Sequence, residues 1–167
     1  MRILGIDPGF HRCGYGIIID DGLKLKVVEY GLFTTPPEMI MAQRLADLMT
    51  DLNRLIRAQK PEAVAVEQVF FEKNRKTFSR VCQAQGVILA AAALAGQPTY
   101  EYTPLQVKQA LTGYGRATKP QVQHMVRIIL KIGQKIPVDD TADALAVAIC
   151  HAHSSRRNPK YQIANLK

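Results

Sequence analysis

Asp7, Glu67, Asp140 and Asp143 are carboxylates in places where carboxylates are costly. Asp7 ends an apolar run and is flanked by Ile6 and Pro8. A lone carboxylate there must cap a turn, pair with a base or bind a cation. An Asx-type turn into Pro8-Gly9 accounts for it as readily as a functional role does. Glu67 follows Ala63-Val64-Ala65-Val66 and precedes Gln68-Val69-Phe70-Phe71, where a surface charge is out of register with its neighbours. The C-terminal end of a parallel strand, where such folds place ligand-facing residues, suits it better. Asp140 and Asp143 lie three apart at the start of an otherwise apolar helix and so share one face. Asp139 or Asp140 also fits as an N-cap that favours the helix dipole. Asp143 is past the cap, and two like charges this close make sense with a divalent cation or a water network between them.

These donors are all oxygen, the set that hard cations such as Mg²⁺ or Mn²⁺ prefer. Two such ions about 4 Å apart can activate a water and stabilise a leaving alkoxide in phosphodiester hydrolysis. The charge pattern supplies the polyanion. The formal net charge is +8, and no acid occurs between Glu101 and Asp139, where Lys108, Arg116, Lys119, Arg127, Lys131 and Lys135 stand. From Ser154 onward Arg156, Arg157, Lys160 and Lys167 again meet no acid. A field of this kind suits nucleic acid, and each neutralised phosphate adds a salt-dependent contribution to affinity. The residues therefore read as a metal-dependent nuclease of nucleic acid. Phe70 and Phe71 follow Glu67 directly, and in an extended chain they point to opposite sides. One ring can then be core while the other stacks on bases. Cys13, Cys82 and Cys150 are too scattered for a disulfide framework. His11 near Cys13, and Cys150 with His151 and His153, lack a second pair at zinc-finger spacing, so buried thiols and helix-end imidazoles are the simpler reading.

The elements that must position these groups are legible in outline. Residues 2–7, 13–20 and 23–35 read as three antiparallel strands joined by Pro8-Gly9 and Asp20-Asp21-Gly22. After Pro36-Pro37 a surface helix runs to Lys60, with Ile40, Leu45, Leu48, Leu52, Leu55 and Ile56 on one face and Arg44, Arg54 and Arg57 as its polar relief. Residues 63–67 read as a central strand buried on both faces. A helix from about Phe78 to Ala95 is apolar nearly all round and needs cover on two sides. A short strand follows at Thr99 to Tyr102, then a helix capped by Thr103-Pro104 that reaches Leu111 or Thr112. An exposed loop over 113–120 leads to a helix ending near Ile132, and a last helix spans Asp140 to His153. The chain has 167 residues, 47% of them hydrophobic, enough for one mixed α/β domain over 1–153 and too few for two large ones. Residues 154–167 read as a basic, flexible tail and a supplementary DNA contact. No membrane span and no secretory pattern follows Met1, so a cytoplasmic protein is expected.

Four segments together resemble the bacterial RuvC family of Holliday junction resolvases. They are Gly5-Ile6-Asp7-Pro8-Gly9 with Gly14-Tyr15-Gly16, Ala65-Val66-Glu67-Gln68-Val69-Phe70, Pro104-Leu105-Gln106-Val107-Lys108-Gln109-Ala110, and Asp140-Thr141-Ala142-Asp143-Ala144-Leu145-Ala146. The resemblance implies a ribonuclease H-like fold, with a mixed five-stranded sheet of three antiparallel strands and then two parallel ones, flanked by helices. It implies a homodimer through the helix near residues 78–95, paired nicks in four-way junction DNA leaving 5′-phosphate and 3′-hydroxyl ends, and cooperation with the RuvA and RuvB branch-migration proteins. It also implies Asp7, Glu67, Asp140 and Asp143 as catalytic acids holding two Mg²⁺ or Mn²⁺ ions. Lys108 and Lys119 match its important basic positions, and Phe70 matches the aromatic inserted at the crossover. Lys73, Arg75, Lys76 and Arg116 are further expected DNA contacts. Asp139 beside Asp140 departs from the pattern, and the spacing to Asp143 selects Asp140 as the third ligand. Competing readings are a ribonuclease H acting on RNA–DNA hybrids and an ATP-binding protein of the actin and sugar-kinase plan. The latter needs a second lobe that this length does not supply. A catalytically silent DNA-binding subunit would not need Glu67 and Asp143 in apolar surroundings.

Overall fold

The computed structural model describes residues 1–69, 75–134 and 136–157, with only the backbone of Arg75, Lys76 and Arg157. Strands β1 (Arg2–Asp7), β2 (Arg12–Asp20) and β3 (Leu25–Thr34) form an antiparallel meander. Helix α1 (Met41–Gln59) leads to β4 (Ala63–Glu67), and α2 (Arg75–Leu94) leads to β5 (Thr99–Tyr102). Helices α3 (Pro104–Thr112), α4 (Lys119–Leu130) and α5 (Asp139–Arg157) complete the chain. The sheet order is β3-β2-β1-β4-β5, with β4 parallel to β1 and to β5. The mixed five-stranded sheet expected from the sequence is the one found.

Both faces of the central strands are buried, so their side chains divide by the two-residue period between two cores. Leu4, Ile6, Cys13, Ile17, Val64 and Val66 meet α1 and α2 on one face. Ile3, Ile18 and Ala65 meet α5 on the other, and α3 and α4 close over α5 from outside. That double cover explains why Ala142 and the run Ala144 to Ala152 are almost wholly inaccessible. Thr103 closes a capping box on α3: its hydroxyl accepts from the Gln106 N–H at 3.1 Å, and the Gln106 side chain accepts from the Thr103 N–H at 2.8 Å.

Several boundaries shift by a residue or two from the sequence reading, and two boundaries and one role differ in ways that matter for the fold. Helix α2 starts at Arg75, three residues early. Helix α5 continues past His153 to Arg157, so residues 154–157 belong to the domain, because Arg156 reaches back to the buried Asp20 and donates from its Nε at 2.9 Å. Arg44 is not polar relief on α1. It is buried, at 5% exposure, and donates to the carbonyl oxygens of Met39 at 2.7 Å and of Pro37, with its remaining nitrogen against His11. A charge in that place is tolerated because its donors are occupied. Arg80 of α2 lies 5.5 Å over the Phe10 ring, so the loop after Asp7 is held from both helices. Among the described residues no helix is long and apolar enough to cross a membrane.

Candidate active site

Parallel pairing aligns Ile6 with Val66, which brings Asp7 and Glu67 to the same end of adjacent strands. Asp7 faces Gly14 in the antiparallel register, and on that side of the sheet the first turns of α5 lie directly on the strands. Glycine is what permits this approach. A Cβ on Gly14 would stand 2.1 Å from the Asp140 carbonyl oxygen, and one on Gly5 would stand 2.2 Å from that of Ala144. The helix backbone thus rests on the sheet, and Asp140 and Asp143 are carried to the strand ends that bear Asp7 and Glu67.

The charges of these four groups act on one another. Burial, followed by the charges of Glu67, Asp143 and Asp140, pushes the Asp7 carboxyl up from 3.8 to about 8. Burial and then the charge of Asp143 push Glu67 up to about 7, against the pull of Lys119 and Lys108. Asp143 is also raised, chiefly by burial, although Lys119 bonds it. Two cations answer part of this negative charge. The Lys119 ammonium lies 2.7 Å from Asp143 and 3.6 Å from Asp139. Arg12 contacts Asp140 Oδ2 through Nε at 2.7 Å and Nη2 at 2.5 Å. Burial works against the Lys119 charge, but its bond to Asp143 and the surrounding acids outweigh burial and raise its pKa.

The four side chains offer only oxygen donors, the kind that hard cations prefer. As they stand, the described residues include no group of three or more His, Cys, Asp or Glu side chains gathered to hold a metal. Arg12 and Lys119 sit instead on the helix carboxylates. Asp139 is separated from Asp140 by direction: it accepts from Gln123 Nε2 at 2.8 Å and is 61% exposed. Lys108 is half-buried on α3 and its charge reaches Glu67, while Arg116 is exposed in the loop before α4. Phe70, Phe71 and Lys73 lie outside the described residues, as do the side chains of Arg75 and Lys76. Sequence reasoning did not single out Arg12. Its charge at the start of a strand, five residues after Asp7, was the available sign. Cys150 and His151 are buried in α5, His151 sharing a 2.8 Å hydrogen bond with the Tyr102 hydroxyl.

A 3-2-1-4-5 mixed sheet with acids at the ends of β1 and β4 and on a helix laid across them is the ribonuclease H-like plan of a nuclease. The family model for the crossover junction endodeoxyribonuclease RuvC matches residues 3–151. The RuvC protein of Alkaliphilus metalliredigens is 49% identical over 163 residues, covering 98% of this chain and 99% of its own. That of Syntrophomonas wolfei is 52% identical over 156 residues, covering 93% and 91%. Among solved structures, Thermus thermophilus RuvC in complex with a Holliday junction substrate superposes with a TM-score of 0.89 at 37% identity, over 94% of this chain and 96% of that one. The chain belongs to the RuvC family of crossover junction endodeoxyribonucleases. It is a hydrolase that cuts DNA at four-way junctions.

Proposed function

We propose that the protein resolves Holliday junctions by paired, symmetric nicks, with Asp7, Glu67, Asp140 and Asp143 holding two Mg²⁺ or Mn²⁺ ions per active site. The observation that supports this reading is that the carboxylates of Glu67, Asp143 and Asp140 lie near enough to Asp7 for their charges to raise it, with the charges of Lys119 and Lys108 reaching Glu67. Bound divalent ions supply Lewis-acid stabilisation of the phosphate and a nucleophilic water at neutral pH. The protein's own part is to fix the ligands in place. Asp7 and Glu67, each raised by burial and by a neighbouring carboxylate, must give up their protons to bind a cation, so metal occupancy grows with pH. Lys108, Lys119 and Arg116 take phosphates of the incoming strand, with Lys73, Arg75 and Lys76 as outer contacts. Water adds at phosphorus as the P–O3′ bond breaks, and the leaving oxygen takes up a proton, so the nick carries 5′-phosphate and 3′-hydroxyl ends. Phe70 acts as the wedge that unstacks the crossover bases.

Two symmetric nicks need two active sites related by a twofold axis, and α2 offers the surface for a homodimer. Its inner face is covered by the core, whereas Gln83, Gly86, Ala90 and Ala93 form an exposed stripe of mostly small residues and Leu94 is 82% exposed. RuvA and RuvB are the partners that deliver the junction.

The test is cleavage of an end-labelled four-way junction, a linear duplex and an RNA–DNA hybrid with Mg²⁺ or Mn²⁺. Each of D7N, E67Q, D140N and D143N is expected to lose junction cleavage while retaining gel-shift binding. Full activity of E67Q, or preferential cleavage of the hybrid, overturns the reading.

A further inference from the structure

We propose that Arg12 is a built-in counter-ion that competes with divalent cations for Asp140 and so sets how tightly the nuclease holds its metal. The proposal rests on Asp140 being a metal ligand. Arg12 opens β2 and meets Asp140 across 128 residues of sequence, with Nε at 2.7 Å and Nη2 at 2.5 Å from the same oxygen, Oδ2. The second acid of the helix has a separate cation, since Lys119 lies on Asp143 and also faces Asp139. Arg12 is therefore not a duplicate of Lys119.

Chemistry makes the two cations unequal to a metal ion. A guanidinium stays charged throughout the accessible pH range and donates hydrogen bonds only. A metal ion taken at Oδ2 must displace the two donors of Arg12, and one taken at Oδ1 is repelled by the guanidinium charge beside it, so in either case Arg12 opposes the metal. Exposure lets the side chain be displaced: the Arg12 side chain is 53% exposed and that of Asp140 is 28% exposed. Water and salt reach the pair, and ion pairs so placed are weak. Arg12 thus holds the Asp140 carboxylate in place while the metal is absent and yields it at a modest cost in affinity.

The experiment titrates Mn²⁺ into the full-length protein without DNA, reading bound metal by calorimetry and by the loss of the free-ion electron-spin signal. D140N defines the binding that depends on Asp140. R12Q is expected to bind Mn²⁺ about two- to fivefold more tightly than the parent, the size of one exposed ion pair. R12K, which keeps the charge and loses the fork, should fall nearer the parent, and R12Q should have no effect in a D140N background. Unchanged or weaker Mn²⁺ binding by R12Q and R12K, with D140N still impaired, overturns the proposal and leaves the metal site standing. A loss confined to junction binding would make Arg12 a phosphate contact instead. If D140N binds Mn²⁺ like the parent, the metal-ligand reading of Asp140 falls, and this proposal with it.

Discussion

Gly14→Ala tests the claim that close contact between β2 and α5 assembles the active site. The new methyl would stand 2.1 Å from the Asp140 carbonyl oxygen, 2.5 Å from its carbon and 3.2 Å from the Thr141 nitrogen. All three are backbone atoms, so no side chain can rotate out of the way. The first turn of α5 must retreat by about 1 Å to restore ordinary contact, since a close-packed interior has no slack to absorb it. Overpacking of this kind costs about 1–3 kcal/mol, which corresponds to a fall in melting temperature of roughly 2–12 °C. The effect on rate should be larger in proportion, because Asp140 rides on the displaced turn and a misplacement of about 1 Å can cost about 10²-fold. Melting curves and single-turnover junction cleavage at saturating Mn²⁺ measure both. Gly133→Ala is the control, because nothing lies within 4 Å of a Cβ there and its backbone is not left-handed. A Gly14→Ala protein that melts and cleaves like the parent would refute the reasoning.

Three further outcomes are expected. Asp7 binds its proton up to about pH 8 in the fold against 3.8 in a free carboxyl, so the native state holds more protons over that range and metal-free stability falls as pH rises through it. His151, lowered to about 4 by burial, works in the opposite sense only up to its ordinary value of 6.5, so the comparison is made above that pH. There D7N should flatten the decline of melting temperature seen in the parent, and equal slopes would count against the assignment. Lys108→Ala and Lys119→Ala should each reduce the magnitude of the salt slope of junction binding by about 0.9 if the ammonium meets a phosphate; unchanged affinity and slope over a salt series would remove them from the interface. Phe70→Ala should leave the melting temperature nearly unchanged, slow cleavage of a paired junction and slow a mismatched, pre-opened one less. A large melting loss, of the size expected for truncating a buried Phe at about 3–5 kcal/mol, with equal rate losses on both junctions would return the ring to the core.

What the sequence made legible follows from which interactions are local. Strand β4 announced itself through Ala63-Val64-Ala65-Val66, and α3 through Thr103-Pro104 with Gln106, because burial on both faces and capping leave marks within a few residues. The end of α5 did not, since the residue that orders Arg156 is Asp20, 136 positions away and readable only as a turn former. Arg44 misled for the same reason: on a helical wheel it is a charge among leucines, and the carbonyls that occupy it belong to the preceding loop. Asp7, Glu67 and Asp143 stood out as carboxylates among apolar neighbours, where each is held above its ordinary range by burial, and Asp140 through its spacing to Asp143. The glycines that bring them together were visible as Gly5, Gly14 and Gly16 but not as a surface, because strands buried on both faces give no pattern saying which side a helix will choose.

The crowding of carboxylates is itself a load on the fold, and the helix that creates it also supplies the energy that sustains it. Keeping Asp7 protonated at pH 7, when its ordinary value is 3.8, costs about 4 kcal/mol. Leu145, Val147 and Ile149 are wholly buried on α5, and three such side chains contribute about 5–9 kcal/mol on leaving water. Leu145 is buried against Gly16 of β2, a contact that requires α5 to lie flat on β1 and β2, which Gly5 and Gly14 allow by leaving room for its backbone. The apolar half of the helix therefore presses its acidic end against the strand termini even while the acids resist one another. Lys119 and Arg12 reduce that resistance from the solvent side. A cation entering between these acids would relieve the repulsion that packing imposes on them.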